Sequence, residues 1–255
     1  MTFGTFIAPD TTLHDVPDPA AMLGVPRVAR FSTVASTMDE AHRLAEAGAP
    51  AGTVVLADEQ TAGRGRTGRQ WVSNARDGLW MTLLERPASP SGLDVLSLRL
   101  GIRLAPVLET FSDTAVQVKW PNDLYVNGSR KLCGILVEAR WRDERIEWVA
   151  IGIGVNICAP EGVPHAGGLR PTTRRRDLLA AIVPEIRDAV QAGGPLAPSE
   201  LATFAARDLG AGRRCSQPAV GVVRGITPDG ALSVEGDAGV VDYRRGSLVF
   251  EGDTE

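Results

Sequence analysis

The pattern of apolar and polar positions divides the chain into short elements. In FSTVASTMDEAHRLAEAGAPAG (31–52), Ser36 or Thr37 can cap a helix that carries Asp39 and Glu40 in its first turn and ends at Gly48. TVVLADEQ (53–60) and GLWMTLLER (78–86) predict two strands on either side of a glycine- and arginine-rich loop. Leu96, Leu100, Leu104 and Leu108 recur at helical spacing within 94–111, with Pro106 expected to kink that helix. VQVKWP is a short strand running into NDLYVNGSR, which reads as a turn. KLCGILVEARW and RIEWVAIGIGVNI are two apolar strands around the polar break 142–145, the pattern of a hairpin.

A Gly/Pro-rich loop at 159–171 precedes a helix at roughly 174–192, whose opening run 174-RRR-176 reads as a solvated helix start. PSELATFAARDL (198–209) predicts one more short helix. Beyond Gly210 the texture changes to short β segments broken by PDG and EGDAG, the signature of a small barrel. Residues 1–26 carry four prolines and little periodicity, so they read as an extended lead-in, too short and broken for a helix-turn-helix module. The expected division is therefore a lead-in (1–26), a main domain (27–209) and a β unit (210–255).

With 255 residues and 44% apolar content, the chain can bury a substantial core, and 5% aromatics leave that core mainly aliphatic. A net charge of −4 argues against a nucleic-acid surface spread over the whole protein. Cys133, Cys158 and Cys215 are dispersed, as are His14, His42 and His165, so no zinc site is legible and a reducing compartment fits. Neither a signal peptide nor an apolar run of transmembrane length is present, and a cytoplasmic protein without membrane partners is expected.

Against that acidic background, 63-GRGRTGRQW-71 concentrates three arginines in a flexible stretch. It matches G-x-G-x-x-G literally, but no helix-forming segment follows the third glycine, so a dinucleotide fingerprint does not fit. Glycines permit close backbone approach, and arginine forks bind phosphate or carboxylate oxygens in bidentate fashion. Mutual repulsion should leave the loop disordered until an anion arrives, with Trp71 as a stacking face. A solvated basic hairpin explains the same residues equally well. Lys119, Asn122 and Asp123 surround a proline-fixed turn at a strand end, and Lys131 opens an apolar strand. The glycines of IGIGVN (151–156) mark either close ligand approach or tight strand packing.

Five motifs, STM (36–38), EQTAGRGRTGRQW (59–71), KWPNDLY (119–125), KLCGILVE (131–138) and GIGVN (152–156), resemble those of biotin protein ligases in order and spacing. The resemblance covers about residues 30–160; the C-terminal β segment agrees in type and position only. It implies an α+β fold, a mixed sheet flanked by helices similar to class II aminoacyl-tRNA synthetase cores, followed by a small SH3-like barrel. It also implies ATP-dependent formation of biotinyl-5′-AMP, with Mg²⁺, and transfer of biotin to a lysine of a biotin carboxyl carrier domain of an acyl-CoA carboxylase.

By the same resemblance, Ser36, Thr37 and Gln60 bind the ureido end of biotin, and backbone at Gly63, Gly134 and Gly154 borders that pocket. Arg64 and Arg66, with Gly65 between them, grip the biotin carboxylate and the phosphates, and with Lys131 form the catalytic set. Arg69 and Trp71 close over ATP, the tryptophan against adenine; Asn122, Asp123 and Asn156 contact the nucleotide, and Lys119 adds positive charge. Met38 stands where the family usually has asparagine in the biotin pocket, which implies a shift in biotin affinity. Metal ligands are not legible, and a monomer and a homodimer are both compatible. Family members that repress transcription carry an N-terminal DNA-binding domain; this chain is expected to act without DNA. Two alternatives stay open: a lipoate or octanoyl ligase of the same fold, and a non-catalytic biotin or nucleotide sensor.

Overall fold

The computed structural model describes residues 19–252. The greater part of the expected lead-in, residues 1–18, lies outside them. Its last residues are not extended: Pro19–Leu23 forms a short helix, α1, with Pro19 at the first helical position, where its missing N–H costs nothing, and Leu23 in the core.

In chain order there follow β1 (Arg27–Val34), α2 (Thr37–Glu46), β2 (Thr53–Gln60), β3 (Gly78–Glu85), α3 (Leu96–Glu109), β4 (Val116–Lys119) and β5 (Asp123–Val126). The long hairpin is β6 (Arg130–Arg142) and β7 (Arg145–Asn156), and the last helices are α4 (Arg175–Gln191) and α5 (Pro198–Arg207). Five short strands close the chain: β8 (Arg214–Gln217), β9 (Gly221–Ile226), β10 (Leu232–Gly236), β11 (Gly239–Tyr243) and β12 (Val249–Phe250).

The large sheet is mixed and seven-stranded, in the order β1-β2-β3-β7-β6-β5-β4. Only β1 and β2 run parallel; the remaining neighbours are antiparallel. The small sheet, β11-β10-β9-β8-β12, is antiparallel throughout. Two elements differ from the sequence expectation. RVARFSTV, not assigned as a strand above, forms β1, and DLYV within the expected turn NDLYVNGSR is β5, with Leu124 and Val126 buried in alternation. Pro106 lies inside α3.

Strand alternation sorts side chains between two faces of the large sheet. Leu79, Met81 and Leu83 of β3, with Val149, Ile151, Ile153 and Val155 of β7, enter the main core with the leucines of α3 and α4. The opposite face receives α2, where Met38, Ala41 and Leu44 pack on Val55, Leu84, Trp148 and Ala150. The helix starts where expected: the Ser36 hydroxyl accepts a hydrogen bond from the Met38 N–H, and Gly48 follows with φ +84°. The small sheet adds Cys215, Val223, Leu232 and Phe250 to the same main core. It is fastened to the large one by Trp120 Nε1 donating to Gly230 O at 2.9 Å, and the segment leading into it is tied down by Leu209 N donating to Val118 O at 3.0 Å.

The arginine run at the start of α4 corrects the solvated reading. Arg175 is 1% exposed, ion-paired with Asp58 and donating to Ala57 O at 2.7 Å, and so clamps α4 to the end of β2. Its neighbour Arg176 does remain exposed.

Candidate active site

A cavity of about 840 Å³ lies on the α2 face of the large sheet and extends to the small sheet. Its floor is built by glycine. Gly134 and Gly154 are direct partners on β6 and β7, and the indole of Trp71 lies against both. A Cβ on Gly154 would stand 2.6 Å from Trp71 Nε1, and one on Gly134 2.8 Å from its Cζ3. Gly152, one alternation earlier, makes room for Met38: a Cβ there would meet the methionine methyl at 2.8 Å. The glycines of GIGVN are therefore spaces for side chains arriving from α2 and from the loop, which explains their alternate spacing.

One group of lining residues is neutral and fully engaged. Gln60 Oε1 accepts from the Thr37 N–H at 2.8 Å and from its hydroxyl at 3.1 Å, while Gln60 Nε2 donates to Ser73 Oγ at 2.8 Å. Thr82 Oγ1 donates to Thr37 Oγ1 at 2.9 Å. Thr37, Ser73 and Thr82 are buried, so this chain of hydrogen bonds fixes donor and acceptor positions in advance of any ligand.

The other group is charged. Lys131 Nζ pairs with Asp123 Oδ2 at 2.7 Å and lies 5.3 Å from the Trp71 ring centre. Asn122 donates to Ile135 O at 2.7 Å, and its side-chain oxygen accepts from Arg66 at 3.0 Å. Arg66 reaches Gly246 O of the small-sheet unit at 3.2 Å. Burial lowers its pKa, opposed by the nearby Asp123 carboxylate, so its charge is desolvated and answered mainly by neutral acceptors. Lys119 sits between the rings of Tyr125 and Phe250, at 5.2 and 4.9 Å from their centres. Arg69 also lines the cavity.

Two polar atoms of residues that line the cavity are buried without a hydrogen-bond partner, Trp71 Nε1 and Asp123 Oδ1. Buried groups of this kind cost free energy unless something satisfies them, and their grouping marks a site built for a polar ligand. Burial pushes the Cys133 thiol far up, so it is inert at neutral pH.

The loop makes its own internal and external bonds within the protein. Trp71 N donates to Gly63 O at 2.9 Å and Gly65 N to Arg69 O at 2.8 Å, closing a miniature hairpin whose tip uses positive φ at Thr67 and Gly68. Arg64 spans two carboxylates, Asp39 at 2.8 Å and Glu138 at 2.5 Å. Mutual arginine repulsion is relieved at one point, because carboxylates on α2 and β6 pair with Arg64.

Of the residues singled out from sequence, Gly63 and Asn156 do not border the cavity; the others do. Gly63 is packed against Ser73 beneath Trp71, and Asn156 lies behind the wall, donating to Lys131 O at 3.3 Å. Sequence reasoning missed Ser73, Thr82, Arg213 and Phe250. Arg213 stacks on Phe250 at 3.4 Å from the ring centre, and both line the cavity from the C-terminal segment. No local pattern distinguished them from ordinary strand residues.

The sequence profile described as the Biotin/lipoate A/B protein ligase family matches residues 30–156, the segment that supplies most of this cavity. The bifunctional ligase/repressor BirA of Bacillus subtilis is 42% identical over 125 residues, 49% of this chain and 38% of that protein. The chain thus spans well under half the length of that relative. The biotin--[acetyl-CoA-carboxylase] ligase of Mycobacterium tuberculosis is 30% identical over 218 residues, 78% of this chain and 79% of that protein. A biotin protein ligase from Aquifex aeolicus, solved in complex with biotin and ATP, superposes with a TM-score of 0.70 over 88% of this chain and 97% of that one, at 24% identity. The glycine floor, the arginine loop and the lysine–aspartate pair fall inside the matched segment, and on that match the chain belongs to the biotin/lipoate A/B protein ligase family.

Proposed function

We propose that this chain is an ATP-dependent biotin protein ligase. It forms biotinyl-5′-AMP from biotin and ATP, then transfers the biotinyl group to a lysine of a biotin carboxyl carrier domain of an acyl-CoA carboxylase. The observation that carries this reading is the joining of two unlike environments in one cavity. A preset neutral hydrogen-bond chain suits the ureido ring, and a cationic cluster suits carboxylate and phosphate. The 30% identity to the mycobacterial ligase supports the same substrates.

In the first step a biotin carboxylate oxygen attacks the α-phosphorus; the new O–P bond forms as the bond to pyrophosphate breaks. Anions are brought together, so stabilising positive charge is the main demand. Arg66 meets it best, because its desolvated guanidinium gives up only neutral acceptors to take an anion. Lys131 exchanges Asp123 for the ligand, and Arg69 and Lys119 raise the local potential. In the second step a neutral lysine amine attacks the acyl carbon, the C–O bond to AMP breaks, and the amine proton is lost to solvent. Trp71, closing the loop over the glycine pair, keeps water from the mixed anhydride.

Among the described residues no group of three or more His, Cys, Asp or Glu side chains is arranged to hold a metal. The free Oδ1 of Asp123 fits Mg²⁺ that arrives on the nucleotide phosphates, using one protein carboxylate at most. Residues 27–209 are read as the class II synthetase-like catalytic domain and 210–255 as an SH3-like barrel. Among the described residues no helix is long and apolar enough to cross a membrane; a cytoplasmic location is part of the proposal.

Biotin-dependent exchange of labelled pyrophosphate into ATP tests the proposal. Lys131→Ala and Arg66→Ala should each lower the exchange rate by about 10²–10³, the scale of losing one preorganised charge stabiliser. Exchange supported by lipoate and not by biotin would refute the substrate assignment. Normal carrier labelling by both variants would refute the residue roles.

A further inference from the structure

Outside the predicted site residues, one connected group of polar side chains leads from a buried indole to the loop. Trp148, 5% exposed, donates its Nε1–H to His42 Nδ1 at 2.9 Å. An indole nitrogen only donates, so His42 Nδ1 must be the acceptor and Nε2 carries the proton. That nitrogen faces Glu138 Oε2 at 3.0 Å, and the other oxygen of Glu138 receives Arg64 at 2.5 Å. The tautomer is thereby dictated by the tryptophan, and the imidazole presents a donor to the carboxylate.

We propose that Trp148, His42 and Glu138 are positioning residues: they hold a carboxylate in place beneath the glycine–arginine loop, so that Arg64 tethers the loop over the cavity and Arg66 is left as its anion-receiving guanidinium. This deepens the ligase reading and rests on it for its catalytic consequence. A lone ion pair as exposed as Arg64–Glu138 would count for little, since side-chain entropy and screening cancel most of it. Two features raise this one above that baseline. Arg64 bridges carboxylates on separate elements, Asp39 on α2 and Glu138 on β6, so it braces the loop from two sides. Glu138 is itself immobilised, so less entropy is lost on pairing. The hydrogen bond from His42, aided by Arg64, holds the Glu138 carboxyl below the usual carboxylate range and keeps it charged.

Two of the three loop arginines are therefore unlike. Arg64 is already matched with two negative groups, and a ligand would have to outcompete both. Arg66 hydrogen-bonds an amide oxygen and a backbone carbonyl, with the Asp123 carboxylate as a nearby charge.

Limited trypsin digestion of the whole chain, mapped by mass spectrometry, reads the tether without relying on activity. Cleavage after Arg66 and Arg69 reports loop opening, and cleavage after Arg142, exposed at the β6–β7 hairpin tip, serves as the internal reference. His42→Ala and Glu138→Gln should each accelerate loop cleavage by about three- to tenfold, the range for losing a charge-assisted hydrogen bond in a partly exposed site. Cleavage after Arg142 should not change. His42→Gln, whose amide N–H reaches the place of Nε2, should restore loop cleavage to within about twofold of wild type. In pyrophosphate exchange, His42→Ala should raise the KM for biotin by a similar factor and leave kcat within about twofold.

Loop cleavage unchanged in His42→Ala and Glu138→Gln, or accelerated no more than at Arg142, overturns the tether. A fall in kcat at constant KM also overturns it. A wild-type protein that shows no biotin-dependent exchange removes the ligase reading, while the cleavage comparison still decides the tether.

Discussion

Replacing Gly154 by alanine separates a built floor from a merely flexible strand. The added Cβ would stand 2.6 Å from Trp71 Nε1, 2.7 Å from Cε2 and 3.2 Å from Cζ2, so the indole must lift away from β7. It cannot slide along the sheet, because Gly134 on the paired strand holds its other ring at a similar distance and Trp80 meets it edge-on at 6.4 Å. Overpacking of this kind costs about 1–3 kcal/mol, against about 0.4–1 kcal/mol gained by stiffening the unfolded chain. The net cost is about 1–2 kcal/mol, which lowers Tm by roughly 2–8 °C in a chain of this length. Gly101 in α3 is the control. A Cβ there meets side-chain atoms at 3.4, 3.7 and 3.9 Å, ordinary contact, and helix propensity favours alanine by about 1 kcal/mol. Gly101→Ala should raise Tm, and Gly154→Ala should lower it and raise the KM for biotin in pyrophosphate exchange. Thermal melting of the pair checks the sign. A Gly154→Ala protein that melts at or above wild type with unchanged KM would refute the seating of Trp71 on the glycine pair.

Other outcomes follow from charges away from the cavity. Burial raises the Asp208 carboxyl to about 6, against the opposing pull of the Gly210 N–H, which donates to one of its oxygens at 2.7 Å. A raised folded-state pKa stabilises below the unfolded value, near 4, and that contribution disappears as pH climbs through 6. The stability of wild type relative to Asp208→Asn, from urea titrations, should therefore fall by about 2–3 kcal/mol from pH 4 to pH 7; a constant difference would contradict it. Asp58→Ala strands the buried Arg175 guanidinium and should cost about 3 kcal/mol in urea denaturation, far more than Arg176→Ala on the exposed side of the same helix.

What the sequence reveals and what it hides follow the distance over which each feature is encoded. The α2 cap, the β6–β7 hairpin and the cavity-lining residues of the five motifs are written in neighbouring residues, and the structure brings them together. Strand β1 escapes because it is a sheet edge whose burial alternates weakly, with Arg27 and Arg30 among its residues. Strand β5 is masked by flanking Asn122, Asn127 and Gly128, which carry turn chemistry. The partners of charged groups are least legible. Arg175 finds Asp58 across 117 residues, Arg64 finds Glu138 across 74, and Trp148 finds His42 across 106. A run of arginines reads as solvated, or as self-repelling, until the folded chain supplies carboxylates that no local pattern announces.

Arg66 carries one more implication, from its two hydrogen bonds rather than its charge. One goes to Asn122 at the end of the large sheet, the other to Gly246 in the segment leading to β12. A single guanidinium thus straddles the seam between the two sheets, and its affinity for a ligand is thermodynamically linked to how firmly that seam is shut. Whatever leans on the C-terminal strands shifts ligand binding, and a bound anion that draws Arg66 inward loosens the seam by an equal free energy.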